Sequence, residues 1–140
     1  MSYDISLLDP VTKETLQFDA PHQMCGGTYC VGGTTEAWLN VTYNYSKWYS
    51  KPGVFADTSE DSQGIRTIYG MSGAESIPVL KKAIKVLELL DEDISEEERK
   101  DCEENGAVGY WLPSRENAIR PLYSLLAFAQ MRPDGIWDGD

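Results

Sequence analysis

Met24-Cys-Gly-Gly-Thr-Tyr-Cys-Val-Gly-Gly-Thr-Thr-Glu-Ala-Trp-Leu-Asn-Val-Thr-Tyr-Asn-Tyr45 sets two glycine pairs, Gly26-Gly27 and Gly32-Gly33, directly before an alternating run. Across residues 36–45, Ala37, Leu39, Val41 and Tyr43 share one face, and Trp38, Asn40, Thr42 and Asn44 share the other. That period of two is what a half-buried strand requires. Each glycine pair lets the backbone take positive φ and lets a ligand or another chain approach closely. Asn40, Tyr43, Asn44 and Tyr45 add amides and rings that can hydrogen-bond and stack. The stretch reads as a strand that leads from a glycine turn into a binding site.

Working outward, Ile5-Ser-Leu-Leu8 and Thr15-Leu-Gln-Phe18 are short strand candidates joined by Asp9-Pro-Val-Thr-Lys-Glu14, a segment with turn chemistry. An opening hairpin is expected there. Downstream, residues 46–51 suit a short helix stopped by Pro52-Gly53. Residues 56–64 are polar without period and are expected to form a mobile surface loop. Ser72-Gly-Ala-Glu75 matches a capping box ahead of Ile77, Leu80, Ala83, Ile84, Leu87 and Leu90, the stripe of an amphipathic helix. Pro78 fits best in a first turn, which places the regular part nearer Ser76 than Ser72. Ser114 caps a last helix whose stripe is Ala118, Leu122, Leu125, Leu126 and Ala129, with Pro121 as a kink point. Trp137, in the tail Ile136-Trp-Asp-Gly-Asp140, is costly to leave in water and should dock on the body. Strands first and helices later predict an α+β class, with a small N-terminal antiparallel sheet packed by two or three amphipathic helices. At 140 residues the chain is long enough for one core, so residues 1–140 are taken as a single domain.

The formal charge of −11 is concentrated in one place: residues 91–104 hold nine acids against Arg99 and Lys100. A negative field without a basic stripe excludes duplex nucleic acid, which is bound by neutralising phosphates. The acidic segment reads in two ways. It is a solvated helix with a capping box at Ser95 and Glu98, its acids favoured by the helix dipole. Alternatively Glu96, Glu97, Glu98, Asp101, Glu103 and Glu104 form a partner-binding face that mimics DNA toward a basic host protein. No apolar run approaches the roughly 20 residues that cross a bilayer, and the opening Met1-Ser-Tyr-Asp-Ile-Ser lacks the basic start of a signal peptide. No membrane partner and a cytoplasmic location are therefore expected.

Cys25, Cys30 and Cys102 are an odd number, which argues against a disulfide scaffold. His22, Cys25, Cys30 and Cys102 could be imagined as zinc ligands, but His-x2-Cys-x4-Cys is not a standard knuckle, and packed or surface thiols are the preferred reading. No metal and no cofactor are expected. Glu36, Glu75 and Asp138 are candidate acids without a nucleophile, paired histidines or a phosphate loop beside them, so binding is favoured over catalysis.

Several blocks carry a resemblance: Pro21-His22 with Gly26-Gly27-Thr28-Tyr29, Val31-Gly-Gly-Thr34, Leu39-Asn-Val-Thr-Tyr-Asn-Tyr45, Gly64-Ile-Arg-Thr-Ile-Tyr-Gly70 and Pro133-Asp-Gly-Ile-Trp-Asp-Gly-Asp140. The chain resembles a family of uncharacterised proteins encoded by bacteriophages and prophages. The resemblance implies a viral accessory protein in a bacterial host cell and supplies no activity. Two functions follow as expectations. In the first, the glycine turns with Asn40, Tyr43, Asn44 and Tyr45 bind a small polar ligand without turnover, such as a nucleotide-derived host defence signal, and Arg66 or Arg120 meets its phosphate. A homo-oligomer is compatible with such a pocket. In the second, the acidic helix or the aromatic group Trp48, Tyr49, Tyr110 and Trp111 anchors a protein partner.

Overall fold

Tyr3, Ile5 and Leu7 alternate with more exposed Ser2, Asp4 and Ser6, and strand β1 (Ser2–Leu8) buries the apolar set. In the computed structural model, which describes residues 1–23 and 33–140, β1 is the centre of a three-stranded antiparallel sheet. On one side β4 (Trp38–Thr42) pairs with it from Ser2↔Thr42 to Ser6↔Trp38, and on the other β5 (Ile136–Gly139) pairs from Leu8↔Ile136 to Ile5↔Gly139. A second, two-stranded sheet holds β2 (Gln17–His22) and β3 (Thr34–Glu36). The helices of the described residues are α1 (Ser46–Tyr49), α2 (Gly73–Glu88), α3 (Glu96–Glu104) and α4 (Arg115–Met131). The fold is α+β.

The expected hairpin is replaced by something larger. Leu8 and Thr15 make one bridge and Leu16 donates its N–H to the Leu7 carbonyl at 2.9 Å, but β1 takes its full partners from β4 and β5. The reason is burial: those strands bring Leu39, Val41 and Trp137 against the core, whereas β2 offers only half-buried Phe18 and contains Pro21, which cannot donate to a ladder. The sheet is thus built from both ends of the chain and is not purely N-terminal.

Trp137 docks as the sequence requires, 1% exposed, with Nε1 donating to Ser76 Oγ at 2.7 Å. Helix α2 begins at Gly73 with a complete Ser72/Glu75 capping box, so Pro78 sits beyond the first turn rather than in it. Tertiary bonds secure that earlier start: Gly73 N–H reaches Gly135 O at 2.8 Å and Ala74 N–H reaches Pro133 O at 3.1 Å. Gly73 is required there, because a Cβ would lie 2.6 Å from the Arg132 carbonyl oxygen. Helices α2 and α4 pack together and bury Leu80, Ile84 and Leu87 against Leu122, Leu125 and Ala129. Helix α3 buries nothing. Residues 57–61 are exposed, and a reciprocal pair of bonds between Thr58 and Asp61 shapes their turn.

Both edges of the three-stranded sheet are closed. Residues 70–72 run beside β5, with Gly70 N–H on Trp137 O and Trp137 N–H on Met71 O, each at 2.9 Å. The outer edge of β4 is closed by a side chain: the Tyr110 hydroxyl accepts from Thr42 N–H at 2.9 Å and donates to Asn40 O at 3.2 Å. Blocking an edge in this way prevents pairing with another chain.

Candidate functional site

The Tyr110 hydroxyl that closes β4 also builds one wall of a cleft. Residues 109–111 form a 3-10 turn between α3 and α4, and Tyr110 packs edge-on against Tyr45 with ring centroids 5.6 Å apart. Asn117, in the first turn of α4, donates from Nδ2 to Gly109 O at 2.8 Å and to Leu112 O at 3.0 Å, which pins this turn to the helix. Ser114 caps α4 by accepting from Asn117 N–H. Between the β4 edge, this turn, α3 and α4 lies a cleft of about 530 Å³. Its chemistry comes from Asn40 and Tyr45, from Arg99 and Glu103 on α3, and from Asn117 and Arg120 on α4. Asp93, Glu116 and Ser124 lie in the same lining, with Leu39, Leu112 and Pro121 as apolar surface.

Charges in the lining are unequally occupied. Asp93 Oδ1 accepts from Ile94 N–H at 2.8 Å and from Arg115 N–H at 3.1 Å, so it serves the fold. Arg120 Nη2 donates to Glu116 Oε1 at 3.1 Å, an exposed pair one turn apart. Arg99 comes only within 3.9 Å of Glu96, too far for a hydrogen bond. Such exposed pairs hold their partners weakly and yield to a better ligand.

Comparison with protein-family models, with curated proteins and with solved structures found no match.

Of the residues the sequence singles out for ligand binding, the structure brings Asn40, Tyr45 and Arg120 to this cleft, and Glu103 and Tyr110, expected to anchor a partner, line it as well. Tyr43 and Arg66 lie outside its lining: the Arg66 guanidinium sits 4.9 Å from the Tyr3 ring and 5.6 Å from the Tyr43 ring, and its Nε donates to the Asp140 carbonyl at 2.7 Å. That cation fastens the sheet rather than facing a phosphate. Asn44 donates from Nδ2 to Trp111 O at 2.9 Å and supports the cleft turn from outside. Tyr45 lines the cleft but is 1% exposed and donates its hydroxyl to Tyr110 O, which rules out a stacking platform. Asn40 is likewise committed through Nδ2, to Ser2 Oγ at 2.7 Å and Asp4 Oδ1 at 2.9 Å.

Gly26, Gly27 and Gly32 lie outside the described residues, as do Cys25 and Cys30. Gly33 is described and does need glycine: its φ is +82° and a Cβ would stand 2.5 Å from the His22 carbonyl oxygen. The close approach there is to the neighbouring strand, not to a ligand. His22 turns its Nε2 to Glu36 O at 2.7 Å and its ring packs 4.7 Å from Phe128, which leaves it a structural residue. Glu75 is consumed by the cap of α2, and the hydrogen bond from Ser72 N–H holds its carboxyl below the ordinary range. Among the aromatic residues proposed as a partner anchor, Trp48 and Tyr49 are core, bonded to Pro113 O and Ala118 O, and only Trp111 is substantially exposed. The acids at 96, 97, 98, 101, 103 and 104 are all exposed on α3, as a solvated helix predicts.

Reading the sequence alone misses Arg99, Asn117 and Ser124 as cleft residues and gives Tyr110 a partner-binding role instead. The one signal available was Gly109-Tyr-Trp-Leu-Pro113, an aromatic turn framed by breakers just before the Ser114 cap. Arg99 is hidden by the acids around it.

Proposed function

We propose that this protein binds a small polar ligand in the cleft between the β4 edge, α3 and α4, without turning it over. The observation that carries this reading is the gathering of amide, hydroxyl, guanidinium and apolar groups around one concavity of about 530 Å³, within the roughly 300–1,000 Å³ of small-molecule sites. The single histidine of the chain is occupied at Glu36 O and does not line the cleft, so the familiar base at neutral pH is not on hand there. By analogy with small phage proteins that sequester host nucleotide signals, the ligand would be a nucleotide-derived defence signal held in a bacterial cytoplasm. Among the described residues no helix is long and apolar enough to cross a membrane.

Thermal unfolding against nucleotides, cyclic oligonucleotides and ADP-ribose derivatives tests this, repeated on Ser124→Phe, which fills the cleft. A ligand at about 100 times its dissociation constant adds roughly 2.7 kcal/mol to the native state. The shift is expected in the wild type and absent from the variant. A flat panel, or equal shifts in both proteins, rejects the reading.

A second reading is favoured by the exposure of every acid on α3: an acidic face for a basic protein partner. Replacing Glu96, Glu97 and Glu104 by Gln leaves the cleft lining intact. It should abolish capture of such a partner while ligand-induced stabilisation survives.

A further inference from the structure

We infer that Arg99 and Arg120 form a two-sided clamp for a compact oxyanion, carboxylate or phosphate, and that Arg99 reaches it on a helix that closes over the cleft. This inference rests on the cleft being the binding site and names the chemistry of what enters it.

Arg99 on α3 and Arg120 on α4 come from different elements yet line one cavity, which they share with the carboxylates Asp93, Glu103 and Glu116. Their present partners are weak: Glu96 at 3.9 Å from Arg99, and exposed Glu116 at 3.1 Å from Arg120. A planar guanidinium fork matches an oxyanion bidentately, and an anion between two of them replaces both solvent-exposed pairs at once. The general charge of −11 opposes polyanions, so selection falls on a small group carrying one or two charges.

Helix α3 is built to move. It buries no residue; half-buried Ile94 just before it packs against the core, and the other ties to the body are charged: Lys47 to Glu98 at 3.3 Å, Lys51 to Glu92 at 2.9 Å, and Asp93 to Arg115 N–H at 3.1 Å. Both lysines are anchored on α1 and the residue range just after it, with their ammonium groups 5.5 and 5.1 Å from the Trp48 ring. Exposed ion pairs of this kind are screened by salt and hold an element loosely. An anion bridging Arg99 to Arg120 would tie the roof of the cleft to its floor.

Titrations with AMP, L-glutamate, adenosine and putrescine test the clamp on the full chain, in wild type, Arg99→Gln and Arg120→Gln. Arg120 is exposed and Arg99 half-buried on a helix that buries no residue, so unliganded melting temperatures should match. Losing a charge-assisted pair is expected to weaken AMP or glutamate about tenfold to a hundredfold in each variant. Which of the two anions binds distinguishes phosphate from carboxylate. Hydrogen exchange across residues 96–104 should slow when the anion is added, and should stay fast in Arg99→Gln. If AMP binds no more tightly than adenosine, and neither variant changes its affinity, the clamp is wrong while the cleft survives as a site. Anion binding that is unaltered by either substitution, or no anion binding at all, also overturns the clamp. The wider panel with Ser124→Phe judges the cleft separately.

Discussion

The Tyr110 hydroxyl does for β4 what a neighbouring strand would do, satisfying Thr42 N–H and Asn40 C=O with one side chain. Removing it strands a donor and an acceptor at a sheet edge. Tyr110→Phe is expected to lower stability by about 1–3 kcal/mol, read by urea denaturation with an unchanged slope. An unaltered midpoint would mean that water replaces the hydroxyl and the edge was never protected. Arginines show best what single residues reveal in sequence. Arg66 and Arg120 carry the same charge, and nothing local tells them apart. Arg66 is claimed by Tyr3, Tyr43 and Asp140, each distant in sequence, whereas Arg120 shares a cleft lining with Arg99. Caps behave differently, because they bond within three residues. Ser72, Ser95 and Ser114 all accept from the backbone N–H three positions on, as their spacing in the sequence states.

Elements differ in how much of their stability is their own. Helices α2 and α4 are held by buried stripes, but α3 has only its cap, its dipole and its ion pairs. Isolated helices of this length are marginal in water. Ser95→Ala should therefore unravel α3 while leaving the core alone. The cap is worth about 0.5–2 kcal/mol to the helix. The helical circular dichroism signal should fall by about nine residues' worth, matching the length of α3, while the urea midpoint hardly moves. A coupled loss of global stability would show that α3 is packed more firmly than its exposure indicates. Strands illustrate the opposite dependence. β1 reads as a strand on its own alternation, but its partners were not legible, since one lies more than thirty residues ahead and the other at residues 136–139.

Across the whole molecule, one apolar core joins the sheet to α2 and α4, with Tyr3, Tyr45, Trp48 and Tyr49 within it. Burial raises the phenols of Tyr3, Tyr49 and Tyr69 above the ordinary value of 10.0, Tyr49 well above it; at Tyr69 the Asp140 carboxylate adds to the effect. The folded state thus holds these protons more tightly than the unfolded chain. Their contribution is complete below pH 10.0 and is lost as pH rises above it, because the unfolded tyrosines ionise first. Melting temperature should be level from about pH 8 to about pH 9.5 and fall steeply beyond about pH 10. A level curve to about pH 11 would contradict the burial of these rings.

The amino-acid sequence by itself determined the serine caps, the amphipathic stripes, the α+β class and the docking of Trp137, because each depends on neighbours within a few positions or on the cost of leaving apolar surface in water. Tertiary structure alone decided which strands β1 pairs with, that Arg66 is a fastening and Arg120 a cleft residue, and that Arg99 and Asn117 face one cavity. Those outcomes depend on which distant segments bury the most surface together, and on where the leftover polar groups then find partners. A concave surface is a property of that final packing, so no local pattern announces it.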